Sequence, residues 1–373
     1  MGLKASALPD FPWDSLTPFV ERASAHPGGA INLSVGTPVD PTPAVVRQAL
    51  VAAADAPGYP ATAGTAALRA AVVEWFATRR GVDNVDPASV LPTIGSKELV
   101  ALLPSLLGLG GGDVVVHPSI AYPTYDVGAR LAGTTPLAAT HIADWAGNPA
   151  VKLVWVNSPS NPTGSVAGVE ELRAVVEAAR EIGAVVASDE CYAEMAWEEP
   201  WSSEGVPSIL DPRVCGGSHE GLLAVYSLSK QSNLAGYRAA FVAGDTRLIG
   251  QLLEARKHIG MIMPGPVQAA MVVALGDAAH VAEQRSRYGA RRVTLSKALV
   301  AAGFSIDDSV AGLYVWATRG EDAWQSVAWL AKRGIVVAPG SFYGPRGAKH
   351  VRVALTASDE HIDAAALRLV NEQ

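Results

Sequence analysis

The chain has 373 residues, 49% of them hydrophobic and 17% charged, with a formal net charge of −7. That length exceeds what one apolar core usually organises, so two domains are expected, and the composition excludes a disordered chain. Acids and bases are mixed along the sequence, which excludes the basic footprint of a nucleic-acid binder and an acidic interaction tail. Two cysteines, Cys191 and Cys215, cannot build a disulfide framework, so a reduced, cytoplasmic setting is expected. The first dozen residues carry prolines and an Asp in place of an apolar signal segment, and the most apolar stretches (114–116, 183–187) are far too short to cross a bilayer.

In chain order, residues 90–94 read as a strand running into Gly95-Ser96-Lys97-Glu98, which opens a helix. A β-branched run at 114–116 is followed by a Pro- and Tyr-rich turn and a helical stretch at 126–131. Residues 152–156 form another strand, and the turn-rich segment 157–164 follows it. The spacing of Leu172, Val175, Val176, Ala179 and Ile182 predicts a helix over 169–182. Strands are expected at 184–187, 222–226 and 239–243. Runs that are apolar on both faces and alternate with helices indicate an α/β domain with a mostly parallel sheet. Beyond residue 248 long helical patterns dominate (248–259, 266–275, 281–302), followed by strands near 312–317 and 350–354. The expected organisation is a large domain over 33–250, a smaller α+β domain over 251–373, and an N-terminal arm, 1–32, packing on the small domain.

Polar residues gather where the predicted strands end, and in open parallel sheets those ends form the ligand crevice. Asp189 ends one strand, Ser227-Leu228-Ser229-Lys230 follows another, and Asn157 to Gly164 follows a third. Of eight lysines, Lys230 alone sits in a Ser-x-Ser-Lys segment after an apolar strand, with Arg238 eight residues on. Hydroxyls and an arginine around one lysine suit a phosphate ester held beside an imine. The plain alternative is a solvated loop lysine among turn-forming serines. Asp189 reads equally as a loop cap, Asn161-Pro162-Thr163-Gly164 as a turn, and Ser96 as a helix cap whose free N–H groups also bind phosphate. Arg352 interrupts a β-like run and reads either as an edge charge or as a carboxylate fork. Cys191 is given no chemistry.

Taken together and in order, these segments resemble the class I/II aminotransferases of the type I fold, which depend on pyridoxal 5′-phosphate (PLP). The pattern is Asn-Pro-x-Gly at 161–164, Asp-x-x-Tyr at Asp189 and Tyr192, Ser-x-Ser-Lys with Arg at Ser227, Ser229, Lys230 and Arg238, and a C-terminal Arg352. The resemblance implies that Lys230 carries the cofactor as a Schiff base and that Asp189 pairs with the pyridine nitrogen. It implies that Tyr192 and Asn161 hold the ring oxygen, and that Ser227, Arg238 and the Gly95-Ser96-Lys97 turn take the phosphate. Tyr122 matches the aromatic stacked on the ring. Arg352 matches the fork for the substrate α-carboxylate, and Gly36 the glycine lining the substrate. Tyr59 matches a tyrosine that reaches the phosphate of a neighbouring subunit, so a homodimer with shared sites is expected, acting on amino acids and 2-oxo acids.

The sequence is further similar to actinobacterial N-succinyldiaminopimelate aminotransferases of lysine biosynthesis, in the blocks at 8–14, 32–41, 188–192 and 227–238. It departs from them in a short segment between Ala138 and Lys152 that lacks their acidic stretch. Another aminotransferase of the family, including one recruited to secondary metabolism, is the main rival expectation, and a PLP lyase a lesser one. The PLP-binding half of a transcription regulator is expected to carry a basic winged-helix extension, for which residues 1–12 leave no room.

Overall fold

The computed structural model describes residues 8–371. The outermost parts of the expected arm (1–7) and of the expected C-terminal domain (372–373) lie outside the described residues. The strands, in chain order, are β1 (Ile31–Asn32), β2 (Val90–Ile94), β3 (Val114–Pro118), β4 (Thr135–Ala139), β5 (Val151–Asn157), β6 (Val185–Asp189), β7 (Leu222–Ser227) and β8 (Ala239–Gly244). They continue with β9 (Ser305–Asp307), β10 (Tyr314–Thr318), β11 (Ile335–Val336), β12 (Ala338–Pro339) and β13 (His350–Ala354).

The large sheet has seven strands in the order β2-β8-β7-β6-β5-β3-β4. All of its pairings are parallel except those of β8, which is antiparallel to both β2 and β7. The central strands are apolar on both faces because both faces are covered. Along β7, Leu222, Ala224 and Tyr226 enter one apolar cluster while Leu223 and Val225 enter another on the opposite face. Full burial of Leu222, Leu223 or Val225 contributes about 1.5–3 kcal/mol each relative to exposure. Helix Val169–Glu181 covers the sheet with Leu172, Val176 and Ala179, the stripe its spacing predicts.

Four strands, in the order β12-β13-β10-β9, form a smaller antiparallel sheet with its own apolar cluster. The helix Thr17–Ser24 packs against Ala323–Lys332, and β1 pairs in parallel with β11. Helix Gly265–Gly276 packs against helices Ala44–Ala52 and Ala66–Arg80 and shares the apolar cluster of the large sheet. The core around that sheet therefore draws on residues well past 250. No helix among the described residues is long and apolar enough to cross a membrane.

Strand register decides what shares the rim of the large sheet. Asn157 lies opposite Asp189 where β5 and β6 end. Ser227 at the end of β7 lies opposite Ala240 of β8, and Ile94 at the end of β2 opposite Ala239. Because β8 runs the other way, it begins at this rim, so Arg238 joins the same edge as Gly95. The chain leaving β6 is pinned by Glu190, whose buried carboxylate accepts from Arg80 at 2.9 Å, Ser208 at 3.0 Å and the Ile209 N–H at 2.8 Å.

Candidate active site

A cleft of about 460 Å³ opens on this rim, between the large sheet and the small one. Of the residues singled out in the sequence, Gly36, Ser96, Lys97, Tyr122, Asn161, Asp189, Tyr192, Ser227, Lys230, Arg238 and Arg352 all line it. Lys230 sits in a one-turn helix, Leu228–Gln231, directly after β7. Its Nζ donates to the Gly36 carbonyl. Burial is the main cause holding this amine below the usual lysine range, with the Arg352 and Arg238 charges adding to it. A neutral amine is the form that attacks a carbonyl carbon.

Asp189 lies buried at the end of β6. Tyr125 donates to its Oδ2 at 2.9 Å and the Cys191 N–H to its Oδ1 at 3.2 Å. Burial pushes the carboxyl above its ordinary range, and these donors only partly oppose the shift. A buried carboxylate in this state gains most from a cationic partner. Tyr125 is itself stacked on Trp155, with ring centroids 5.0 Å apart, so the donor is rigidly held.

A third group of donors lies around the Ser227 hydroxyl. It donates to the Ser229 hydroxyl at 2.9 Å and caps the Ser229 N–H at 3.2 Å. The helix Ser96–Leu106 presents its first turn to the same cleft. Gly95 has φ +75° and a Cβ there would stand 2.1 Å from a terminal nitrogen of Arg238, so only glycine lets that guanidinium approach the helix start. The sequence reading of Gly95 and Ser96 as a plain helix opening and as an anion cradle thus describes one geometry.

The opposite wall comes from the small sheet. Arg352 lies on β13, an inner strand between β12 and β10, which rules out an edge-strand charge. Its guanidinium donates to Asn161 Oδ1 at 2.9 Å and to the Ser34 carbonyl at 2.7 Å, and lies 3.9 Å over the Tyr314 ring. The buried Nε–H has no acceptor among the described residues. Tyr314 is not anticipated by the sequence reading. Its hydroxyl lies 3.3 Å from that of Tyr192, and a Cβ at Gly36 would stand 2.1 Å from it. Burial pushes the Tyr314 phenol up, but the charges of Arg352 and Lys230 outweigh it and hold the phenol below its ordinary value.

Other residues missed in the sequence are Tyr125, Cys191 (through its backbone N–H), Phe11 and Trp13. Tyr125 has one usable signal, its place three residues after Tyr122 at the start of the helix Thr124–Ala132. Phe11 and Trp13 line the cleft from the N-terminal arm, far from the strand-end motifs. Tyr59 lies apart from the cleft and is fully exposed at 101%.

The donor set fits PLP. A desolvated amine, a buried carboxylate, and a hydroxyl, arginine and helix start gathered at one side supply the groups that its aldehyde, ring nitrogen and phosphate require. The comparisons agree. The family described as aminotransferase class I and II matches residues 29–369. The chain is 59% identical to "Probable aminotransferase Rv1178" of Mycobacterium tuberculosis, over 99% of this chain and 86% of that protein. It is 56% identical to "4-dedimethylamino-4-oxo-anhydrotetracycline transaminase OxyQ" of Streptomyces rimosus, over 97% of this chain and 99% of that one. The solved structure of a "probable N-succinyldiaminopimelate aminotransferase" from Thermus thermophilus superposes with a TM-score of 0.86 at 27% identity, covering 96% of this chain and 99% of that one. With cleft and comparisons in agreement, the chain belongs to the class I and II aminotransferases of the type I fold, and its cofactor is pyridoxal 5′-phosphate.

Proposed function

We propose that the chain transfers the amino group of glutamate to N-succinyl-2-amino-6-oxopimelate, giving N-succinyl-LL-2,6-diaminopimelate. The observation that carries the reading is the buried Arg352 fork, with its unpaired Nε–H, lining the same cleft as the desolvated Lys230 amine. That pair suits an α-amino or 2-oxo acid, one group for its carboxylate and one for the proton at its α-carbon. The similarity to the Thermus protein and the separated sequence blocks support the particular acceptor.

Bound, PLP supplies an electron-accepting ring that spreads the charge left when the α-proton departs. Asp189, whose carboxylate is kept aimed by Tyr125 and the Cys191 N–H, would pair with the ring nitrogen. Ser227, Arg238 and the N–H groups opening the Ser96 helix would hold the phosphate, and Tyr122, Tyr192 and Asn161 would hold the ring. Arg352 grips the substrate α-carboxylate beside Gly36, and Lys230 Nζ takes the α-proton and returns it as general base and then acid. Glutamate would leave as 2-oxoglutarate, its nitrogen kept on the bound cofactor and its new carbonyl oxygen supplied by water, and the same residues would run the sequence in reverse on the oxo acid. In a homodimer, Tyr59 of a second copy completes the phosphate site.

A second reading has its own observation, the 56% identity to OxyQ over nearly its whole length. It makes the acceptor a ring ketone of secondary metabolism. Comparing kcat/KM for the succinylated oxo acid, 2-oxoglutarate, pyruvate and a tetracyclic ketone separates the two. A wide margin for the ring ketone would retain the aminotransferase and remove the lysine-pathway acceptor.

A further inference from the structure

Behind the turn that carries Lys230, four side chains and a carboxylate form one unbroken chain of hydrogen bonds. The Tyr226 hydroxyl donates to Gln231 Oε1 at 2.6 Å, and Gln231 Nε2 donates to the Ser232 hydroxyl at 3.0 Å. Ser232 Oγ lies 2.8 Å from His280 Nε2, and His280 Nδ1 lies 3.1 Å from Asp277 Oδ2. Gln231 and Ser232 directly follow Lys230 and are buried, while Asp277 and His280 stand at the start of the helix Ala278–Ala301. None of these groups takes part in the proposed transfer itself. We propose that His280 is a positioning residue of the transamination site: in its neutral form it anchors Ser232, and through Ser232 the one-turn helix that aims the Lys230 amine. The inference rests on the reading of Lys230 as the amine that moves the substrate's proton.

The directions of the bonds fix the state of the ring. Because the Gln231 amide donates to the Ser232 oxygen, the hydrogen of that hydroxyl is left for His280 Nε2, which must then be the bare nitrogen. Nδ1 carries the ring's hydrogen and aims it at Asp277, whose carboxylate also accepts from the Ala279 N–H at 2.9 Å. A proton added at Nε2 turns the Ser232 bond round. Ser232 then receives two donors, and its own hydrogen must find another acceptor in a site with no exposure. Leaving a buried donor unpaired costs more than the bond it made. The turn Leu228–Gln231 is the part that yields, being too short to hold its shape alone. The same long helix also holds the next residue, since Asn233, at φ 55°, donates to Gln284 Oε1 at 2.9 Å. A serine, histidine and aspartate in this order resemble a hydrolytic triad, but Ser232 is closed off from any substrate. Protons do reach the ring, because His280 lines a pocket of about 230 Å³ with Arg47, Glu283 and Arg287. Those three and Asp277 are the charged groups facing it. Glu283 pairs with Arg287 at 2.6 Å, and Arg47 donates to the Thr42 carbonyl at 3.1 Å.

Nitrogen NMR of the holoenzyme, labelled at histidine, reads the ring without turnover. At mildly alkaline pH His280 should carry its hydrogen on Nδ1, and a hydrogen on Nε2 would overturn the proposal. His280→Leu removes the acceptor and should slow single-turnover conversion of the holoenzyme by saturating glutamate about tenfold, with half-saturation and PLP content unchanged. His280→Gln, whose Oε1 can take the Ser232 hydrogen, should recover most of that loss. The wild-type rate relative to His280→Gln should fall as pH drops through the value at which the His280 signal shows protonation. Equal losses in the two variants, or a ratio that does not change with pH, would also overturn it. Should His280→Leu fail to fold, His280→Gln and the wild-type spectrum decide the question. If the wild type transfers no amino group from any amino acid, the functional reading falls, while the hydrogen's place on the ring still tests the anchor.

Discussion

The two walls of the cleft are built in different ways. The large-sheet wall is assembled from neighbours in sequence: Ser227 to Lys230 after β7, Asp189 to Tyr192 after β6, Asn157 to Gly164 after β5. Each is a short polar run at the end of an apolar strand, so parallel register alone brings them together. The opposite wall joins Phe11 and Trp13, Gly36, Tyr314 and Arg352, spread over more than 300 positions of the 373. In the proposed reading, the groups that handle the cofactor sit on the wall that local motifs specify, and the groups that receive the substrate on the wall that only tertiary packing specifies.

The contrast predicts different failures for the two walls. Lys230→Ala should show the largest effect, a loss of about 10³-fold or more in turnover, since it removes both the cofactor's attachment and the acid–base group. Borohydride should fix PLP to Lys230 in the wild type, and label on any other lysine would break the division of labour. Asp189→Asn keeps the shape and loses the charge, so about 10²-fold in kcat should go while PLP stays bound. Wild-type turnover in this variant would reduce Asp189 to a loop cap. On the other wall, Arg352→Lys should raise KM for amino acids about tenfold without altering PLP content, because an ammonium lacks the planar two-point grip. Cofactor loss with KM unchanged would move Arg352 to the wrong wall.

The smallest effect is one of pH. Burial lowers the Lys230 pKa below 10.5, so between the folded and unfolded values the unfolded chain binds the extra proton. Stability of the cofactor-free protein therefore rises with pH through that window and is lost as pH falls through the folded value. Melting temperatures of apo wild type and Lys230→Met should differ most near neutrality and converge as pH approaches 10.5. A constant gap would show that the amine is not desolvated.

The same contrast explains what can be read from sequence. The strands at 114–116, 152–156, 184–187 and 222–226 are visible because strands covered on both faces are largely apolar, β7 being buried along its whole length. Strand β4 is not, since its burial is partial and it lies at the sheet edge. Strand β8 is visible as a strand, but nothing in Ala-Ala-Phe-Val-Ala-Gly shows that it runs against its neighbours. Helix Gly265–Gly276 is apolar nearly all round, so its pattern gives no sign of which sheet it covers. Tyr314 is hidden for a similar reason: in Leu-Tyr-Val-Trp it is one more large residue of a buried strand until Arg352 is placed against it.

The grip of Arg352 on Asn161 from one layer and on Ser34 beside the other has a consequence for how such an enzyme diverges. A substitution there disturbs the seam between the layers as well as the reception of acids, so two properties change at once. Phe11, on the arm, carries no comparable double duty. New substrates are therefore most accessible, to evolution or to an engineer, through changes along the arm, with position 352 left as it is.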